Sequence, residues 1–231
     1  LKRGQPEETK NFFTPYKWQL LHDTLDQLPM NTPGERNYAE RLRYCIQVGY
    51  GLALRPDEQA KHRQSQIYKS DHGQYKIEVT GKGNKERTLP IDEATLAAMA
   101  RYLKHLKIET PPEKAGLPFL PRVKAVISKG RGANKPEDLL PGMTENTWQQ
   151  TFKKFLKLCY ARHAGVPLDR VEHELGWQKE WMHLSPYALR HTRISHLLLK
   201  EKWELVRVKD FAGHSFLSTT EQYIHLDAHN I

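Results

Sequence analysis

Tyr223 lies nine residues after His214, in the stretch FAGHSFLSTTEQYIHL from Phe211 to Leu226. A phenol hydroxyl can attack a phosphodiester and hold the broken end covalently, with no metal or nucleotide. Free tyrosine has a pKa of ~10, so about one phenol in a thousand is ionised at neutral pH. The nucleophile therefore needs cations or a base beside it. Arg55, Arg190 and Lys82 are candidates for the cations, and Tyr187 or His214 for moving the proton. In SPYALRHTR, from Ser185, serine reads as a helix cap and Pro186 as the first helical position. Tyr187 and Arg190 then stand at i, i+3 in the first turns. A helix start offers free N–H groups to an anion, and a guanidinium fork fits phosphate oxygens. His191 is one position past Arg190, which on a helix turns it elsewhere, so it is not expected to share the work. Lys82, flanked by glycines in GKGNKER, could protonate a leaving oxygen, and Lys85 has a similar claim. That stretch lacks the GxxxxGK[ST] spacing of a nucleotide-binding loop. Each residue alone has a commoner use, as core tyrosine, surface ion pair or solvated turn. Their combination points to phosphoryl transfer.

The elements that must position these groups are mostly helical. Thr14-Pro15 opens a helix to about Leu28, and residues 29 to 34 break it. A second helix runs from about Glu35 to Gly49, with Tyr38, Leu42, Cys45 and Ile46 on one face and Gly49 and Gly51 weakening its end. Arg55 follows, before Pro56 and a short helix from Asp57. Gln66 to Lys69 reads as a strand and Asp71-His72-Gly73 as a turn. Tyr75, Ile77 and Val79 alternate with polar residues, and a strand from Thr88 to Ile91 follows the glycine-rich turn. Asp92 caps a helix with Leu96, Met99, Ala100 and Leu103 on one face. Residues 108 to 142 read as a long connection. Thr144 precedes a helix bearing Trp148, Phe152, Phe155, Leu156 and Cys159. Glu204 to Ala212 is a helix closed by Gly213. Ser218 with Glu221 matches a capping box, which puts Tyr223 early on the last helix. The fold class is α+β, mainly α-helical with a small three-stranded antiparallel sheet.

The chain of 231 residues has a net charge of +9, which suits a polyanionic partner, nucleic acid first. Arg122 to Lys135 holds five basic residues and no acidic one. With Lys129 and Arg131 it reads equally as a basic loop along a phosphate backbone or as a solvated one. No run of 18 apolar residues is present, so no membrane partner is expected. Cys45 and Cys159 fall on apolar faces and read as buried thiols of a cytosolic chain. Cys159 and His163 have i, i+4 spacing but no CxxC or HxxxH companion, so neither a metal site nor any other cofactor is expected. The chain begins at Leu1, which suggests that a segment is missing upstream.

Four segments in order resemble the catalytic domain of tyrosine recombinases, the phage integrase family: GLALRPDE from Gly51, VTGKGNKERTLPI from Val79, SPYALRHTRISHLLL from Ser185, and FAGHSFLSTTEQYIHL. The resemblance covers nearly the whole chain, residues 1 to 231, as one domain of that fold. It implies Arg55 and Arg190 as the two phosphate arginines, Lys82 as the hairpin lysine, His214 as the histidine before the nucleophile, and Tyr223 as the nucleophile. Glu58 would support the arginines. Lys85, Arg87, Lys129 and Arg131 would contact DNA. The family usually has histidine where this chain has Tyr187, a poorer base whose phenol still donates a hydrogen bond. The implied activity is cleavage and rejoining of double-stranded DNA through a 3′-phosphotyrosine. It implies a homo-tetramer on two DNA sites, room for accessory DNA-bending proteins, and a place in the cytoplasm at the bacterial nucleoid. Family members add an N-terminal DNA-binding domain, which this chain is expected to lack. Eight residues after Tyr223 leave little tail for exchange between subunits. A type IB topoisomerase-like enzyme and a DNA-binding module with a degraded site are the alternatives.

Overall fold

The computed structural model describes residues 11–81, 83–122 and 142–224. Helix α1 (Pro15–Asp26) starts at a threonine cap, Lys17 N–H donating to Thr14 Oγ1 at 3.4 Å. Helix α2 (Pro33–Gly51) starts two residues before the expected Glu35, because Thr32 and Glu35 form a capping box. The Glu35 N–H donates to Thr32 Oγ1 (3.2 Å) and the Thr32 N–H donates to the Glu35 carboxylate (2.8 Å). The helix passes Gly49, its expected end, and stops at Gly51, so both glycines lie in its last turn. A Cβ at Gly51 would lie 1.9 Å from Thr95 Oγ1, and one at Gly49 2.8 Å from Gln59 Oε1. Glycine costs a helix interior about 1 kcal/mol, and here close packing against neighbouring elements offsets that cost. Leu42, Cys45 and Ile46 of α2 are buried in the core. Burial raises the Cys45 and Cys159 thiols to about 12.

After α2 the chain turns through the short helix α3 (Pro56–Lys61) into an antiparallel sheet of order β1-β2-β3. The strands are β1 (Ile67–Lys69), β2 (Tyr75–Thr80) and β3 (Glu86–Pro90). Register pairs Ile77 with Leu89 and Val79 with Arg87. Ile77, Val79 and Leu89 are fully buried, so the period of two places Arg87 on the inner face as well. The expected third strand began at Thr88. Its true start two residues earlier is what brings Arg87 inside.

Helix α4 (Glu93–His105) is capped by Asp92, and its buried positions are Thr95, Met99, Tyr102 and Leu103. Ala100, placed on that face from the sequence, is exposed. The connection that follows is less loop-like than expected. It contains helix α5 (Pro112–Ala115) and the buried residues Leu117, Phe119 and Leu120. The rest of the basic stretch, with Lys129 and Arg131, lies outside the described residues. Helix α6 (Glu145–Ala164) buries Trp148, Phe152, Phe155, Leu156 and Cys159 as its spacing predicts. A π-helical turn over Trp177–Trp181 buries both tryptophans.

Helix α7 (Tyr187–Leu199) is buried almost all round, and α8 (Leu205–Ala212) packs against it. A four-residue helix α9 (Ser218–Glu221) follows. No helix among the described residues is long and apolar enough to cross a membrane.

Candidate active site

The site is built on a buried carboxylate. Glu58, on α3, has no exposed surface. Its carboxylate accepts two bonds from Arg87, Nη1 at 2.9 Å and Nη2 at 2.8 Å. It also accepts from Arg55 Nη1 at 2.7 Å and from the Arg55 N–H at 2.9 Å. Burial alone would raise this carboxyl, but the Arg87 bonds and charge and the Arg55 N–H outweigh it and hold the group at about 2. Arg87, grouped above with the DNA contacts, therefore turns its guanidinium inward, where Nε also donates to the Phe211 carbonyl at 3.1 Å. Gly81 explains itself in this setting: a Cβ there would meet Glu58 Oε1 at 2.9 Å.

The second arginine comes from α7. Arg190 is 3% exposed, and its fork donates to the carbonyls of Ala53 (2.6 Å) and Ala212 (2.5 Å). Arg55 Nη2 donates to the next carbonyl, Gly213, at 3.2 Å. Two arginines 135 positions apart thus grip one Ala212–Gly213 turn. Gly213 has φ +67°, and a Cβ there would sit 2.9 Å from Arg87 Cδ, so only glycine fits both the turn and the neighbour. Burial first, then Arg55, lowers the Arg190 guanidinium to about 9, still a cation at neutral pH. Arg55 and Arg87 are ion-paired to the buried Glu58, while Arg190 feels its charge without bonding it. The excess positive charge is what a phosphate would neutralise.

The left-handed Gly213 delivers His214 beside the same cluster. His214 Nδ1 bonds Thr220 Oγ1 at 2.8 Å. Burial, followed by the charges of Arg190 and Arg55, lowers its imidazole to about 3. Tyr223 is 8% exposed, its ring near-parallel to His214 with centroids 6.4 Å apart. It falls just past α9 rather than early on a helix, and Leu217 stands at the cap position where Ser218 was expected. Burial raises the Tyr223 phenol to about 12 against the lowering pull of Arg190 and Arg55.

The Tyr223 hydroxyl is hydrogen-bonded to His191 Nδ1, with ring centroids 5.8 Å apart. His191 was expected to point elsewhere because it adjoins Arg190. Its relation to Tyr187 is i, i+4, which puts those two on one face, with ring centroids 6.5 Å apart. That spacing was the available signal. The helix start also differs from expectation. No side-chain cap is present, and the Ala188 and Leu189 N–H groups donate to Ser185 (2.8 Å) and Pro186 (3.1 Å) carbonyls. Those two N–H groups are therefore engaged within the helix start, contrary to the expectation that they are free for an anion.

Arg55 stands between two open clefts. One, about 880 Å³, is also lined by Tyr187, Asp57, Gly81, Gly83 and Asn84. The other, about 800 Å³, holds His214, Lys85, Arg87 and Lys209. Tyr187 is 38% exposed, and burial together with Asp57 and Glu145 raises its phenol. Lys85 is exposed, and Lys82 lies outside the described residues.

Glu58→Gln is expected to lower stability by about 3 kcal/mol at pH 7, the cost of breaking a buried ion pair. The carboxyl is depressed in the fold, so its contribution is complete above the ordinary carboxylate range and lost as pH falls towards about 2. Denaturant titrations of both proteins should show the gap closing between roughly pH 4 and pH 2. Equal stabilities at pH 7 would contradict this role for Glu58.

A family model described as the phage integrase family matches residues 19–230. Tyrosine recombinase XerD of Rhizobium meliloti (strain 1021) is 30% identical over 186 residues, covering 80% of this chain and 47% of that protein. Tyrosine recombinase XerC of Bifidobacterium longum (strain DJO10A) is 28% identical over 204 residues, covering 88% and 47%. The chain therefore spans about half the length of these relatives. Among solved structures, XerH recombinase in a post-cleavage complex with palindromic difH substrate aligns with a TM-score of 0.62 at 17% identity, covering 98% of this chain and 52% of that one. The Tn1549 transposon integrase with transposon right-end DNA gives 0.57 at 14%, covering 96% and 63%. At such identities the likeness is one of fold, and the fold is that of tyrosine recombinase catalytic domains. The family model reaches across nearly all of the sequence, and the chain belongs to the phage integrase family.

Proposed function

We propose that this chain is the catalytic domain of a site-specific DNA recombinase that cleaves and rejoins double-stranded DNA through Tyr223. The observation that carries the reading is the meeting of Arg55, Arg190, His214 and Tyr223 around the Ala212–Gly213 turn, with three guanidiniums against one buried carboxylate. Tyr223 attacks the scissile phosphate and forms a 3′-phosphotyrosine, releasing a 5′ hydroxyl. Arg55 and Arg190 neutralise the phosphoryl oxygens as charge builds on them. In the tautomer protonated on Nε2, where Nδ1 accepts from the Thr220 hydroxyl, His214 donates a hydrogen bond to the same oxygens. Tyr187 can add a phenolic donor from the neighbouring cleft. Lys82 protonates the leaving oxygen, and Lys85, Lys129 and Arg131 hold the DNA backbone. The phosphotyrosyl bond keeps the energy of the broken one, so no cofactor is required. Attack by a 5′ hydroxyl from a second duplex completes exchange, in a homo-tetramer on two sites, with accessory DNA-bending proteins as further partners and the bacterial nucleoid as the place of action.

The test uses nicked duplexes tiled across the DNA that flanks the coding region. The expected result is a detergent-resistant protein–DNA complex on one tile and strand exchange between two copies of it, with binding that weakens steeply with salt. Binding without any covalent complex would indicate a DNA-binding module with an inactive site. Relaxation of supercoiled plasmid without exchange would indicate a topoisomerase.

A further inference from the structure

We propose that His191 takes the proton from the Tyr223 hydroxyl, through Nδ1, as the phenol attacks. This rests on the cleavage chemistry proposed above and names a group that chemistry left open. Three observations converge on it. The Tyr223 hydroxyl is already bonded to His191 Nδ1, and the two rings lie near-parallel at 26°. Tyr187, the residue at the position where a base would be sought, is a phenol whose proton is held more tightly still by its surroundings. His214, the other imidazole of the cluster, has its Nδ1 committed to Thr220.

The groups facing His191 fix its protonation. Arg190 is its cationic neighbour on α7, Tyr187 lies one turn back, and Tyr223 and His214 approach from the C-terminal segment. Burial, then the charge of Arg190, lowers the imidazole to about 4, so it is neutral at pH 7, and in the tautomer protonated on Nε2 its Nδ1 accepts from the phenol. The phenol is held protonated at the same pH. Full transfer before attack is therefore uphill, and the proton moves only as the Oη–phosphorus bond forms. A phosphate bound at Arg55 and Arg190 favours the step, because its negative charge stabilises an imidazolium. In atoms, the Oη–H bond breaks as Oη–P forms, His191 holds the proton, and the P–O5′ bond breaks with a proton supplied to O5′ by Lys82. In the return step a 5′ hydroxyl attacks and its proton returns to Lys82, the P–Oη bond breaks, and His191 gives its proton back to the Tyr223 oxygen. His191 starts and ends neutral.

The experiment measures covalent complex formation on a nicked duplex bearing the flanking site, from pH 3.5 to pH 9 so that the range spans the His191 titration at about 4, for the wild-type chain, His191→Ala and His191→Gln. His191→Ala should cleave about 100-fold more slowly at pH 7. Added imidazole should recover part of that loss. The wild-type rate should fall on acidification as His191 protonates, and the alanine variant should lack that limb. His191→Gln, which can still accept the phenol's hydrogen bond but cannot take its proton, should fold and bind DNA normally and remain slow. Glutamine at wild-type speed would overturn the proposal. So would a loss in both variants that is uniform across pH and untouched by imidazole, because that is the behaviour of a packing residue. A wild-type chain that forms no covalent complex would remove the cleavage reading itself, an outcome distinct from a fast His191 variant.

Discussion

Tyr223→Phe yields no covalent protein–DNA complex on a nicked duplex and binds the same duplex within about threefold of wild type, since only an interaction needed for the chemical step is lost. The ring is 8% exposed and lies against two imidazoles, and phenylalanine keeps that packing. What disappears is one hydroxyl bonded to His191, worth about 1 kcal/mol of stability. The variant therefore folds, and its defect is chemical. Gel retardation on the intact duplex and detergent-resistant shift on the nicked one separate the two quantities. A complex persisting in Tyr223→Phe would move the nucleophile to another residue.

Arg190→Ala should slow cleavage by about a thousandfold while weakening DNA binding far less, because charge on the phosphoryl oxygens peaks in the transition state. Arg190 also satisfies two carbonyls, Ala53 and Ala212, from a buried position. Alanine leaves both without that partner, so part of any loss could be one of folding. Arg190→Lys addresses this. It keeps a cation near the site but cannot reproduce the planar fork that reaches two carbonyls, and cleavage should still drop by about a hundredfold. Circular dichroism melts set the folding contribution aside. If cleavage and binding fell by the same factor in both variants, Arg190 would be a binding contact only.

Much of this architecture can be read from residue types alone, for reasons that differ by element. Trp148, Phe152, Phe155, Leu156 and Cys159 repeat at helical spacing, and all five are buried on α6. Gly213 after an apolar helix signals a left-handed stop, which is where the chain turns to present His214. The errors cluster where tertiary contacts override local preference. Gly49 and Gly51 read as weakening the helix end, and α2 does stop at Gly51, two residues past the expected Gly49, with Gln59 and Thr95 pressed against the two glycines. Arg87 reads as a surface cation until the strand is extended to Glu86. The alternation with Leu89 then turns it inward to Glu58. His191 adjoins Arg190 in sequence, but its partner on the helix is Tyr187, and its contact with Tyr223 depends on a segment 32 positions away that no local pattern reveals. Ser218 and Glu221 have the spacing of a capping box, but the turn there is four residues long and Tyr223 lies beyond it.

The central claim is that one phenol becomes joined to DNA inside a guanidinium-lined site. Its most direct measurement is protease digestion of the wild-type complex trapped on a nicked duplex, followed by mass spectrometry of the nucleotide-bearing peptide. A single modified peptide is expected, with the 3′-phosphate on Tyr223. A trapped peptide modified at any other side chain, or a bound duplex that yields no modified peptide, would contradict it.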